Sequence, residues 1–257
     1  MESGTALLGL ESYNFGHTNF TFVASQLGCK GLDTTTQLNC MRQLPVETIV
    51  DFIGHYGDNA TTPALAFLPI PDEQVIFANY SDRYAKGLVS KVPAIIGTAA
   101  NEGSVLVPYA TLTTGPNQTL VDETTLGAFL CPAHTTSELR KTLGVSSYRY
   151  QQAGNFSDLS PLPWLGAYHS SDLPFFHGSY VDYATGSPLE IATSMAMQDY
   201  VLAFMKDPQN GLKQAGWPEY TSGQALRFGA DGNAVATVEL VDVEGVCSGQ
   251  GTYDHNP

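Results

Sequence analysis

The stretch VPAIIGT (92–98) restricts the fold more than any other part of the chain. It is short, almost wholly apolar, and stopped by Gly97. A run that is apolar at every step suits a strand covered on both faces, as in a parallel sheet flanked by helices. A second strand is expected in SSYRYQQAG (146–154), where Tyr148 and Tyr150 stand two apart between Gly144 and Gly154. A third, short one is expected around Val235–Val241.

Helices accompany them. In SPLEIATSMAMQDYVLAFMKDP (187–208), Ser187 and Glu190 make a capping box around Pro188 at the first helical position, and Asp207-Pro208 ends the run. Leu189, Ala192, Met195, Ala196 and Met205 fall near one face, so the methionines are expected to fill core. LPVETIVDFIGHYG (44–57) carries Val46, Ile49, Val50 and Ile53 at helical spacing, so residues 1–60 read as helices and loops. TTPALAFLPIPDEQVIF is broken by Pro63, Pro69 and Pro71 and reads as loop or short edge strands. GLKQAGWPEYTSGQALRFGADG (211–232) reads as an exposed loop. The class that emerges is α/β.

At 257 residues with 43% apolar content, the chain is long enough to bury a real core. Its net charge of -14, without a Lys/Arg cluster, argues against nucleic acid or an anionic membrane as partner. No stretch is long and apolar enough for a transmembrane segment, and MESGTALLGLESYNFG lacks the basic start and apolar core of a signal peptide. Five Asn-x-Ser/Thr triplets, at Asn19, Asn59, Asn79, Asn117 and Asn155, nevertheless point to a secretory route and glycosylation. The expectation is a secreted protein whose front end is absent from this sequence.

The cysteines fit that compartment. Cys29 and Cys40 flank a polar loop short enough to close, and a bridge there would stabilise by roughly 3 kcal/mol. Cys131 and Cys247 could form a second, long-range bridge; four buried free thiols are the alternative. No Cys/His spacing suits zinc.

Chemistry concentrates in two places. AANEGS (99–104) puts the carboxylate of Glu102 in the turn at the carboxyl end of the first strand, where sites assemble in open α/β sheets. Taken locally, Glu102 also reads as a surface glutamate. GAYHSSDLPFFHG (166–178) puts His169 on a loop beyond the second strand, within reach of a carboxylate on a neighbouring strand end. An acid that precedes a histidine follows the order serine, acid, histidine of α/β-hydrolase triads.

VPAIIGTAANEGS and GAYHSSDLPFFHG together resemble the acid and histidine motifs of the type-B carboxylesterase/lipase family, which includes cholinesterases and secreted fungal esterases. Further landmarks agree: ESGTA from Glu2, the Cys29/Cys40 spacing, FLPIPDEQVIF, and the FMKDP…WPEY region, running from about residue 2 to about 228. The resemblance implies that residues 1–257 are the C-terminal part of one α/β-hydrolase domain, an incomplete central sheet flanked by helices. It makes Glu102 the triad acid and His169 the base for hydrolysis of a small-molecule or lipid ester, with no metal or organic cofactor. The family's motif usually ends in Phe-Gly; here it is His177-Gly178, so His177 is expected at a packing position.

A nucleophile is missing. No G-x-S-x-G occurs in the chain: GLESY (9–13) lacks the final glycine and MESGT the first. Ser104 lies two residues from the acid on the same turn and is badly placed to meet His169. By the family's layout the elbow and the oxyanion motif belong upstream of Met1, and the chain alone is expected to be inactive, with its first strand short of a partner along one edge and the whole poorly soluble or molten. The alternative is a non-catalytic, cholinesterase-like binding or adhesion protein, which would have no need of Glu102 and His169.

Overall fold

The computed structural model describes residues 1–8, 14, 16–31, 33–59, 61–62 and 64–257. GLESY (9–13) and Pro63 lie outside the described residues. The chain forms two compact units, Leu10–Ala78 and Met1–Gly9 with Asn79–Pro257.

The smaller unit is helical, built from α1 (Thr18–Gln26), α2 (Thr34–Met41) and α3 (Val46–Asp58). Asp33 caps α2 by accepting from the N–H groups of Thr35 and Thr36. The Cys29–Cys40 disulfide closes the turn between α1 and α2, and Val23, Ala24, Cys29 and Met41 are buried around it. Ile49 and Ile53 of α3 pack against this cluster, while Val46 and Val50 are exposed, so only part of the predicted apolar stripe is used. The described residues from 61 to 78 form neither helix nor strand.

The larger unit holds one four-stranded sheet in the order β1 (Ala94–Ala99), β2 (Ser147–Gln152), β3 (Gln224–Phe228), β4 (Val235–Glu239). β1 and β2 run parallel, as do β2 and β3, and β4 returns antiparallel along β3. The first two strands lie where the apolar and aromatic patterns put them. Residues 1–3 meet the outer edge of β1: the Ser3 N–H donates to the Gly97 carbonyl and the Gly97 N–H to the Met1 carbonyl.

α4 (Tyr80–Ala85) precedes the sheet. Between β1 and β2 lie α5 (Gln118–Thr124), a π-helical turn (Thr125–Leu130) and α6 (Cys131–Thr142). α7 (Leu173–His177) and α8 (Pro188–Lys206) follow β2, then α9 (Gly211–Gln214), and α10 (Leu240–Glu244) follows β4. The Ser187/Glu190 capping box on α8 is present with both hydrogen bonds. The core gathers Tyr148 and Tyr150 of β2, Phe175 of α7, Met197 of α8, Leu212 and Trp217, and Leu226 and Phe228 of β3. A second disulfide joins Cys131 to Cys247, and no cysteine is free among the described residues.

Three expectations need correction. Residues 211–232 are no exposed loop: they supply α9, the buried Trp217 and all of β3. The last strand ends at Glu239, and residues 240–244 are helical. On α8 the buried positions are Glu190, Thr193, Ser194 and Met197, a stripe at i, i+3, i+4 and i+7. Met195 and Met205, expected in the core, are 60% and 72% exposed. The stripe is polar because its hydroxyls bond to backbone: Ser194 Oγ donates to the Phe175 carbonyl and Thr193 Oγ1 to that of Leu189.

Candidate active site

β1 ends at Ala99, and the 3-10 turn Glu102–Val105 folds back over the strand end. Gly103 makes the turn possible, since a Cβ there would stand 2.3 Å from the Val121 carbonyl oxygen. Glu102 is fully buried. One carboxylate oxygen accepts from the Ala99 N–H at 2.7 Å; the other lies 2.6 Å from Nδ1 of His169.

His169 sits in the loop between β2 and α7, with 31% of its side chain exposed. Its ring packs on Phe129 of the π-helical turn, centroids 4.9 Å apart. With Nδ1–H donating to Glu102, Nε2 carries the lone pair and is free to act as a base. The hydrogen bond to Glu102 raises the histidine's pKa; burial opposes this, and the charges of Glu102 and Asp172 reinforce it. A buried acid orienting a partly exposed imidazole is the arrangement that serves proton transfer from a hydroxyl nucleophile.

The sequence model of the carboxylesterase family matches residues 1–125. Secreted lipase 5 of Gibberella zeae is 35% identical over 236 residues, which cover 86% of this chain and 44% of the lipase. Chlorogenic acid esterase of Aspergillus niger is 37% identical over 203 residues, 79% of this chain and 39% of the esterase. Secreted lipase 1 of Botryotinia fuckeliana is 25% identical over 268 residues, 82% of this chain and 44% of the lipase.

The chain belongs to the carboxylesterase family. It spans less than half the length of the curated relatives it matches. Its mixed sheet flanked by helices is of the α/β-hydrolase type that the family implies.

The other candidates fall differently in this carboxylesterase-family chain. Ser104 is buried, and its Oγ donates to the Leu165 carbonyl at 2.9 Å, so its hydroxyl is engaged away from the imidazole. His177 does not pack: it is exposed in the last turn of α7, where Pro174 and Phe175 take the buried positions. Of the sequon asparagines, Asn59, Asn79, Asn117 and Asn155 are exposed, while Asn19 is half-buried and donates its amide to the Ala66 carbonyl. Asn79 and Asn117 cap α4 and α5 through Oδ1. Among the described residues no helix is long and apolar enough to cross a membrane.

Two groups near the site escaped the sequence reading. Tyr150 donates its hydroxyl to Oδ2 of Asp172 at 2.7 Å, and both are buried. Burial pushes the Asp172 carboxyl up to about 6; the Tyr150 bond opposes this and the charges of Glu102 and Glu2 add to it. Asp172 lies three residues after His169 in the same motif, which is the signal that could have found it. Elsewhere in the unit, His134 of α6 pairs with Glu244 of α10 at 2.9 Å, but that carboxylate also accepts from Arg149 Nε and the Tyr220 hydroxyl. Its oxygens are committed to a fully buried guanidinium, which marks the cluster as structural.

Proposed function

We propose that this chain supplies the acid and the base of a Ser-Glu-His triad that hydrolyses carboxylic esters. Residues 1–257 are, in this reading, the C-terminal part of one α/β-hydrolase domain whose serine and oxyanion donors lie elsewhere in the whole protein. The observation that carries it is the 2.6 Å contact between the buried Glu102 and the partly exposed His169. Family membership supports the same chemistry.

In the whole protein the serine hydroxyl attacks the ester carbonyl while Nε2 of His169 takes its proton. The imidazolium is held by Glu102 and returns that proton to the departing alcohol. Water then attacks the acyl-serine carbonyl while giving a proton to His169, which passes it to the serine oxygen as the acyl–serine bond breaks and the carboxylic acid leaves. The substrate is a small-molecule or lipid ester, and the name secreted lipase borne by two of the relatives favours an extracellular setting.

The test is ester turnover by the whole protein with p-nitrophenyl esters. Glu102→Gln and His169→Ala should each lower kcat/KM on the order of 10⁴-fold with the circular dichroism spectrum unchanged. Near-full activity in folded His169→Ala sinks the reading. The 257-residue chain by itself should turn over none.

A further inference from the structure

Glu102 and His169 are 67 residues apart, and the histidine rides on a loop (153–172) with no helix or strand of its own. Something must hold that loop in register with the acid turn. We infer that Asn101 is a positioning residue that ties the histidine loop to the acid turn. The inference rests on the reading of Glu102 and His169 as acid and base.

Asn101 is 2% exposed, and every polar group it has is used. Its backbone N–H donates to the Ala167 carbonyl at 2.8 Å, in a parallel bridge between Asn101 and Tyr168. Its Nδ2 donates to two carbonyls of the same loop, Trp164 at 3.1 Å and Leu165 at 2.8 Å. Oδ1 accepts from Gln118 Nε2 at 3.1 Å, which fixes which end of the amide faces the loop. Gly166 lets the loop come this close, because a Cβ there would lie 3.2 Å from Nδ2 of Asn101. Three donations from one residue therefore reach residues 164, 165 and 167 of the loop, and the next residue in the chain is the acid. An alanine would remove both side-chain donations and leave the Trp164 carbonyl without this donor, so that only the backbone bond to Ala167 and the Ser104 bond to Leu165 still join the loop to the turn. The Glu102–His169 bond depends on both partners arriving within a few tenths of an ångström, so the base should lose its orientation first.

The measurement is the side-chain NMR titration of His169 in the whole protein, with His134 as an internal reference because Glu244 also raises its pKa, at a separate place. In Asn101→Ala, the His169 pKa should fall to the ordinary histidine value near 6.5 and the downfield Nδ1 proton should vanish, while His134 titrates as before. An unchanged His169 beside an unchanged His134 overturns the inference. If Asn101→Ala fails to fold, which a loss of the raised His134 titration would reveal, the volume-conserving Asn101→Leu decides. That variant fills the site without the two Nδ2 donations and should lower the His169 pKa and broaden its Nδ1 proton; an unaltered His169 there overturns the inference too. None of these readouts needs ester turnover, so failure of the tie is distinct from failure of the hydrolase reading. In the whole enzyme, Asn101→Ala should lower kcat about 10²-fold with KM held, and shift the acid limb of the pH profile downward.

Discussion

Gly97 of β1 and Tyr150 of β2 face each other in register, and the tyrosine ring occupies the space where any side chain at residue 97 would begin. A Cβ on Gly97 would stand 1.8 Å from the Tyr150 ring atoms. The ring cannot retreat, because it is held among Phe176, Trp217 and Phe228 and its hydroxyl is bonded to Asp172. Gly97→Ala should therefore cost about 3 kcal/mol or more in urea unfolding, at the upper end of ordinary overpacking. A loss under 1 kcal/mol would show that the sheet and ring can part.

Asp172 gives a pH-dependent prediction. Its folded pKa of about 6 lies above the ordinary value of 3.8, so the fold disfavours the ionised form. The resulting destabilisation is absent below the unfolded pKa, grows as pH rises from about 4 to about 6, and is constant above. Asp172→Asn, which keeps an acceptor for Tyr150, should stabilise by on the order of 2 kcal/mol at pH 7 and by little at pH 4. Thermal melts at the two pH values check this; equal shifts at both would refute it.

For His169, the proposed base, the sign is opposite. Its raised pKa means that the bond to Glu102 adds stability that is complete below the unfolded pKa near 6.5 and fades as pH climbs through the folded value. The proposed role of base needs the neutral ring, so kcat/KM of the whole protein for esters should rise with pH through a transition above 6.5. A transition below 6.5 would contradict the Glu102 contact.

The two disulfides should differ in weight. Cys131–Cys247 closes 116 residues and Cys29–Cys40 only 11. In the chain-entropy account they stabilise by about 5 and about 3 kcal/mol. Paired Cys→Ser variants, compared by chemical denaturation, should rank in that order.

Glycosylation should follow exposure. Expressed through a secretory pathway, the exposed Asn59, Asn79, Asn117 and Asn155 are expected to carry glycans more fully than the half-buried Asn19. Glycopeptide mass spectrometry reads the ranking; high occupancy at Asn19 alone would reverse it.

Much of this architecture is legible in the chain. β1 is visible because its residues are apolar at every step, and Glu102 and His169, which the fold brings within 2.6 Å, stand out because each follows a strand in a short, distinctive motif. What stayed hidden was polar. β3 was missed because Gln224 and Arg227 interrupt its pattern, although Arg227 Nε is satisfied by Gln151 on the neighbouring strand. The face of α8 was misread for the same reason: threonine and serine count as exposed until their backbone acceptors are seen. Nothing local in AANEGS reveals that the Asn101 amide meets carbonyls more than sixty residues away.

The tightness of the acid's pocket bears on chemical labelling. Both oxygens of Glu102 are occupied, one by Ala99 and one by His169, and no part of the side chain meets solvent. A carboxyl-directed footprinting reagent should mark the outlying aspartates and glutamates and pass over Glu102 until its turn is pried open, making that silence a gauge of whether the carboxylate is still in its seat beside His169.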